Sequence, residues 1–110
     1  MNLTFIELPP FERFRAEHLS DDEYRAFQEA LLKNPEQGDL MQGLGGLRKV
    51  RVSDSKRHKG KRGGIRVIYY YFVRRDRIYL VAAYGKDKQT DLTNEQRKNL
   101  TAVIEYIKTL

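Results

Sequence analysis

Cysteine is absent from this chain of 110 residues. The absence excludes disulfide bonds, zinc sites built on thiolates and a cysteine nucleophile, and it fits a reducing compartment. Long apolar runs are missing as well, since no stretch approaches the roughly 20 apolar residues that a membrane-spanning helix needs. The stretch 1–11 has neither a basic region nor a long apolar run. We therefore expect a cytoplasmic protein without a signal peptide and without a membrane partner.

The sequence shows no group of residues spaced as metal ligands. The two histidines, His18 and His58, lie far apart in the sequence, and the acidic residues do not cluster. A metal site needs several such ligands close together. We therefore expect neither a metal site nor another cofactor.

Positive charge, by contrast, is abundant and concentrated in one segment. Nine of the nineteen residues from Arg48 to Arg66 are Lys or Arg and only Asp54 is acidic, which gives this segment a formal charge of +8. The whole chain carries +6, so the remainder sums to −2. A basic patch of this density is typical of proteins that bind a polyanion, most often a nucleic acid.

Runs of β-branched and aromatic residues predict three strands in an antiparallel meander, at 47–53, 65–73 and 78–84. A polar turn at 74–77 joins the last two. Residues 2–8 form a further candidate strand. The glycine-rich segment before the first meander strand is predicted to be a turn-rich connection.

Apolar spacing predicts three helices. The first covers 11–18, and the second begins at Ser20 and ends at Asn34 before a proline. The third begins at Thr93. Ser20 and Thr93 each begin a capping box with the residue three positions on. We expect the helices to pack on one face of the sheet, which makes the chain a single α+β domain over 1–110.

Alternation along the first meander strand separates its apolar side chains from its basic ones. If Val50 and Val52 face the helices, Lys49 and Arg51 face outward from the sheet. The basic pair is then free to meet a ligand.

An antiparallel hairpin brings the outer ends of the last two strands together. Arg66 begins one strand and Tyr84 ends the next, with Lys86 just beyond. We expect Tyr84 to share its face with Ile78 and Leu80. Cations from three segments and one tyrosine ring therefore converge at one end of the predicted sheet, beneath the basic loop.

Such a group of residues suits a phosphodiester. Lys and Arg bind phosphate oxygens, and an aromatic ring can stack on a base. If the ligand is RNA, the same cations can stabilise the charge on a phosphate that its own 2′-OH attacks, which requires no metal. The sequence offers three candidates for the residues that transfer protons: Tyr84, a lysine whose pKa is lowered by neighbouring cations, and His58.

Each of these residues also has a purely structural interpretation. Arg66 fits an ion pair at a strand end, and Tyr84 fits packing within the sheet, as do the tyrosines at 69–71. His58 fits an ordinary loop histidine. The basic residues of the strand and loop also fit a solvated surface.

Three motifs in order resemble one known family: GGLRKVR at 45–51, GGIRVIYYY at 63–71 and YGKDKQTDLTNEQ at 84–96. Over residues 20–110 the chain resembles the RelE/HigB superfamily of type II toxin–antitoxin toxins, and the HigB branch in particular. The resemblance implies a microbial-RNase-like fold, in which N-terminal helices and a C-terminal helix pack on an antiparallel sheet. It implies an mRNA interferase that cuts mRNA in the ribosomal A site without a metal, through the 2′-OH of the substrate. The implied partners are mRNA, the ribosome with its rRNA, and a HigA-like helix-turn-helix antitoxin.

The resemblance also implies roles for individual residues. Arg66 matches the family's catalytic arginine, Lys49 and Arg51 match its basic pair, and Lys86 matches its lysine at the last strand end. Tyr84 completes the predicted catalytic set. The remaining residues near this site that are predicted to contact RNA are Arg48, Lys56, Arg57, His58, Lys59, Lys61, Arg62 and Lys88.

The chain departs from the family pattern at two places. Where relatives often have an arginine after the lysine, this chain has Asp87. Some members use a tyrosine near the C-terminus, for which Tyr106 is the candidate here.

Two other functions fit the same basic segment. One is a non-catalytic module that binds RNA or the ribosome. The other is a DNA-binding domain, which is disfavoured because the basic residues fall on strands and a loop and not on a recognition helix.

Overall fold

The computed structural model describes residues 2–52, 64–85 and 91–110. Within these ranges lie five strands and three helices, in the order β1 (Thr4–Glu7), α1 (Pro9–His18), α2 (Asp21–Lys33), β2 (Asp39–Leu40), β3 (Arg48–Val52), β4 (Ile65–Phe72), β5 (Arg77–Gly85) and α3 (Asn94–Lys108). They form one sheet in the order β1-β5-β4-β3-β2. β1 runs parallel to β5, and the other pairs are antiparallel. The predicted α+β class and the β3-β4-β5 meander are confirmed.

Both predicted capping boxes form. The Ser20 hydroxyl accepts from the Glu23 amide at 3.1 Å, and the Glu23 carboxylate accepts from the Ser20 amide at 2.8 Å. Thr93 and Gln96 make the same reciprocal pair at 3.1 and 2.9 Å. Each box satisfies two backbone donors that have no partner within the helix, which fixes where α2 and α3 begin. None of the helices in the described ranges is long and apolar enough to cross a membrane.

Helices cover both faces of the sheet, which corrects the expectation that they share one. Phe11 of α1 and Leu31 of α2 pack in a core with Val67. Ile104 of α3 packs in a second core with Ile68, on the other face. Successive residues of a strand point to opposite faces, so both faces of β4 are buried. The near-continuous apolar run in β4, in place of an alternating one, is the sequence signature of this arrangement.

β5 contains a β-bulge at Val81. On the turn side of the bulge Tyr69 pairs with Leu80, whereas on the other side Ile68 pairs with Ala82. Val81 is therefore one extra residue on β5 opposite an unbroken β4.

The bulge changes which face Tyr84 occupies. Ile78 and Leu80 lie in the core under α1 and α2, whereas Tyr84 lies in the core under α3. The expectation that the three share a face is wrong, because the extra residue reverses the alternation. An unbroken ladder would pair Arg66 with Ala83, but with the bulge Arg66 pairs with Tyr84.

The connection from α2 to β3 is tied to the core by one tyrosine. The Tyr69 hydroxyl donates to the Pro35 carbonyl at 2.8 Å and accepts from the Gly38 amide at 3.0 Å, and the ring is fully buried. A Cβ at Gly38 would lie 2.8 Å from the Tyr69 ring, so the approach requires glycine. Beyond Gly38 the chain forms the two-residue β2, where the sequence predicted only a turn-rich connection.

Candidate functional site

Basic and aromatic side chains from β3, β4 and β5 stand side by side on one face of the sheet. Arg51 pairs with Arg66, and Arg66 pairs with Tyr84. Opposed residues of antiparallel strands share a face, with Cβ atoms roughly 5 Å apart. Lys49 lies two residues before Arg51 on β3 and therefore on the same face, where it pairs with Ile68. We call Lys49, Arg51, Arg66 and Tyr84 the Arg66 cluster.

The packing of β3 determines which way its basic side chains face. Val50 and Val52 pack against the core under α1 and α2. Lys49 and Arg51 therefore face the side that α3 covers farther along, and not a bare outer face as predicted. Lys49 is half-buried and Arg51 is exposed, so the cluster lies at the rim of this face.

Arg66 is a buried cation beside a second cation. It is 3% exposed, and its guanidinium donates to the Gly64 carbonyl at 3.3 Å. Burial lowers the pKa of Arg66, the positive charge of Arg51 lowers it further, and Tyr84 has the opposite effect. An arginine stays protonated at neutral pH nonetheless. An anion bound between the two guanidinium groups would offset both the desolvation of Arg66 and its repulsion from Arg51. The cluster therefore favours an anionic ligand.

Tyr84 brings a buried hydroxyl to the same cluster. The side chain is 9% exposed, and its hydroxyl has no hydrogen-bond partner among the residues that the structure describes. Burial raises the pKa of Tyr84, the negative charge of Asp91 raises it further, and Arg66 lowers it. The hydroxyl is therefore protonated at neutral pH and can donate. A buried polar group without a partner is uncommon in native proteins and calls for an explanation, which function can supply.

Asp91 is a residue near the cluster that the sequence analysis missed. It lies two residues before the α3 N-cap, and its carboxylate accepts from the Leu92 amide at 2.8 Å. Its charge acts on Tyr84. Residues 90–93 belong to the third resemblance motif and precede a predicted helix, but nothing local in them indicates proximity to β5.

Two residues singled out by the sequence lie elsewhere. Arg48 is on the opposite face, where it donates to the carbonyls of Gly38 at 2.8 Å and Glu36 at 3.0 Å and pairs with the Glu36 carboxylate at 3.3 Å. Its predicted contact with RNA stays a prediction, although its donors are engaged away from the Arg66 cluster. Tyr106 is on the outer side of α3 and is 66% exposed.

Several predicted site residues lie outside the described residues, and their roles stay predictions: Lys56, Arg57, His58, Lys59, Lys61, Arg62, Lys86 and Lys88. Within 2–52, 64–85 and 91–110, no three His, Asp or Glu side chains come together as metal ligands do.

A groove of about 430 Å³ opens beside the cluster, between α3, β5 and the start of α1. Most of its wall is apolar, from Leu8, Pro9, Val81, Leu92, Leu100 and Val103. Tyr84 lines the groove as well as belonging to the cluster. Gln96 and Asn99 of α3 add two amide side chains.

Solved structures of known fold resemble this chain, although no family model matches its sequence. The isolated Escherichia coli RelE toxin aligns with a TM-score of 0.57 and 8% identity, over 93% of this chain and 99% of that one. A double arginine-to-alanine variant of E. coli RelE in the free state gives 0.57 and 11%, over 82% and 90%. The intact E. coli RelBE toxin–antitoxin complex gives 0.55 and 10%, over 74% and 94%. At these identities the likeness establishes the fold: the chain has the fold of the RelE toxins, as the resemblance predicted, and its place in the HigB branch stays a prediction.

Proposed function

We propose that this protein is the toxin of a type II toxin–antitoxin system, a HigB-like mRNA interferase that cuts mRNA on the ribosome. The observation that carries the proposal is the Arg66 cluster, in which a buried arginine lies between a second arginine and a tyrosine whose hydroxyl has no partner among the described residues. The RelE-type fold supports the same function, because the similar solved structures are RelE toxins.

The cluster is suited to cleavage by the substrate's own 2′-OH. The 2′-oxygen forms a bond to phosphorus while the bond from phosphorus to the 5′-oxygen breaks, leaving a 2′,3′-cyclic phosphate and a 5′-hydroxyl. Negative charge builds on the phosphate oxygens in the transition state. Arg66, held in a site of low dielectric, would stabilise that charge, while Lys49 and Arg51 would position the phosphate.

Two protons must move in this reaction, and we propose a donor for one of them. The raised pKa of Tyr84 keeps its hydroxyl protonated, which suits donation to the departing 5′-oxygen. The acceptor of the 2′-OH proton would then be His58 or a lysine whose pKa is lowered by neighbouring cations. Asp91 is a further candidate, because an ionised carboxylate is an acceptor.

The proposed partners follow from the same fold. E. coli RelE is found in a complex with its antitoxin. We infer a cognate antitoxin for this chain, HigA-like in the branch we propose, and a site of action on cytoplasmic ribosomes. The basic segment 56–62 and Lys88 would bind messenger or ribosomal RNA.

Expression of the chain in bacteria, followed by mapping of transcript 5′ ends, tests the proposal. Arg66→Ala should lower cleavage about 10²- to 10³-fold, the loss expected for one preorganised donor in a transition state. Arg25→Ala is the matched control, because this arginine is exposed on α2, which packs on the opposite face of the sheet. It should leave cleavage within about twofold of wild type. Circular dichroism checks that both variants fold.

Two outcomes would contradict the proposal. If wild type binds ribosomes but leaves every transcript intact, the chain is a non-catalytic RNA-binding module. If Arg66→Ala cleaves as well as wild type, the Arg66 cluster is not the active site.

A further inference from the structure

The apolar groove is continuous with the Arg66 cluster along one face of the sheet. Ile68 and Ala82 form part of the groove wall, and they pair in the row next to Arg66 and Tyr84. Ile68 also pairs with Lys49 of β3, the strand on the side of β4 away from β5. Adjacent strands are about 4.8 Å apart, so the basic side chains of β3 begin roughly 10 Å from the groove wall on β5. A ligand with an anionic end and an apolar, planar end would therefore fit the two surfaces together.

Among the described residues that line the groove, the polar side chains are two amides and one tyrosine, and none is charged. Asn99 has no hydrogen-bond partner among the residues that the structure describes, and its side chain is exposed at the groove. Gln96 lies three residues earlier, on the same side of α3. An amide carries two donors and an acceptor with two lone pairs, which matches the mixed edge of a nucleobase. Proteins usually recognise unpaired RNA bases by stacking them on an aromatic ring and hydrogen-bonding their edges, and the groove is lined by the aromatic residue Tyr84 and the amide of Asn99.

We propose that the groove is a nucleobase site, which receives the base of one nucleotide next to the scissile phosphate and reads its edge through Asn99. This inference rests on the proposed function, since it places the base relative to a phosphate held by the Arg66 cluster. Tyr84 joins the two parts, because it both lines the groove and pairs with Arg66. The groove thereby gives the enzyme a base preference at one position beside the cut.

Cleavage maps test the reading of the base. Asn99→Ala should lower the preference at one position flanking the cut about fivefold, the discrimination that one hydrogen bond supplies. Cuts at the preferred base should fall about fivefold, whereas cuts at the other bases should stay at the wild-type level. The matched control is Asn94→Ala, which removes the same amide from the first turn of α3, where it does not line the groove. That variant should keep the wild-type base preference.

A titration followed by NMR tests whether a nucleotide occupies the groove, and it does not depend on catalysis. AMP, GMP, CMP and UMP are each added to the full chain, with inorganic phosphate as a separate probe. At least one nucleotide should shift the backbone amides of Leu92, Leu100 and Val103, whereas phosphate should shift only amides near Arg51 and Arg66. Asn99→Ala should weaken binding of that nucleotide about fivefold and leave phosphate binding unchanged.

The outcomes separate this inference from the proposed function. If the chain cuts RNA but all four nucleotides shift only the amides that phosphate shifts, the base site is wrong and the toxin activity stands. If nucleotides occupy the groove but no transcript is cut, the base site stands and the nuclease is wrong. An unchanged base preference in Asn99→Ala overturns the role of this amide.

Discussion

Tyr84→Phe removes one oxygen atom and should change stability and activity in opposite directions. The hydroxyl is buried and has no partner among the described residues, whereas the ring packs in the α3 core. Burying an unpaired hydroxyl costs about 1–3 kcal/mol, and phenylalanine keeps the ring contacts. We expect the free energy of unfolding to rise by about 1 kcal/mol. For a domain near this size that raises the melting temperature by about 4–8 °C.

Activity should fall in the same variant. If Tyr84 donates the proton to the leaving oxygen, its loss should slow cleavage about 10²- to 10⁴-fold. The assay is single-turnover cleavage of mRNA on programmed ribosomes, beside thermal unfolding followed by circular dichroism. Because burial raises the pKa of Tyr84 above its ordinary value of 10.0, the step that needs the protonated hydroxyl should stay level between pH 7 and pH 9.

Tyr70→Phe is the matched control for this prediction. Tyr70 is on β4 and packs against the same α3 core, but it lies outside the Arg66 cluster. Its hydroxyl should matter little to cleavage. A Tyr84→Phe protein that melts below wild type would mean that the hydroxyl has a partner. One that cleaves at the wild-type rate would give the proton donor's role to another residue.

Two further predictions concern the buried tyrosines. Tyr69→Phe should lower the free energy of unfolding by about 2–4 kcal/mol, because it leaves the Pro35 carbonyl and the Gly38 amide buried without a hydrogen-bond partner. Urea unfolding measures this change, and an unchanged midpoint would refute the role of the two bonds. These tyrosines should leave stability unchanged between about pH 8 and pH 10, and stability should then fall as pH rises toward the raised pKa values of Tyr24, Tyr69 and Tyr84, because the folded state holds these protons more tightly than the unfolded chain. Melting temperatures recorded from pH 8 to pH 11 check the second prediction, which a flat profile would contradict.

Features set by neighbouring residues could be predicted from the sequence. Ser20 and Thr93 find their capping partners three residues away, so the helix starts depend on little else. The meander strands follow from short apolar and aromatic runs, and their bounds agree with the prediction to within about one residue. The α1 helix begins at Pro9 and not at Phe11, because proline suits the first turn of a helix.

Features that depend on distant segments could not be predicted. The parallel pairing of β1 with β5 joins residues more than 70 positions apart, and no local pattern encodes it. The placement of α3 on the opposite face from α1 and α2 depends on packing between segments that are far apart in the sequence. The continuous apolar run of β4 indicates that both faces are covered, but it does not say by which helix.

The site was predicted in part. The hairpin predicts that Arg66 and Tyr84 lie at the same end of the sheet, but their pairing on one face depends on the bulge at Val81, which the sequence did not predict. The groove was missed because its walls come from α1, β5 and α3 together. A local signal was present, since Gln96 and Asn99 are polar residues next to the apolar stripe of a docked helix.

The single-residue bulge at Val81 affects how this protein should be aligned with others. Deleting Val81 would leave a regular ladder in which Tyr84 still meets Arg66, since the extra residue is absorbed entirely on β5. A relative with a straight last strand therefore needs a one-residue gap here. Without that gap, counting from the hairpin turn assigns Ala83 to the tyrosine's position, and an intact site would be scored as lost.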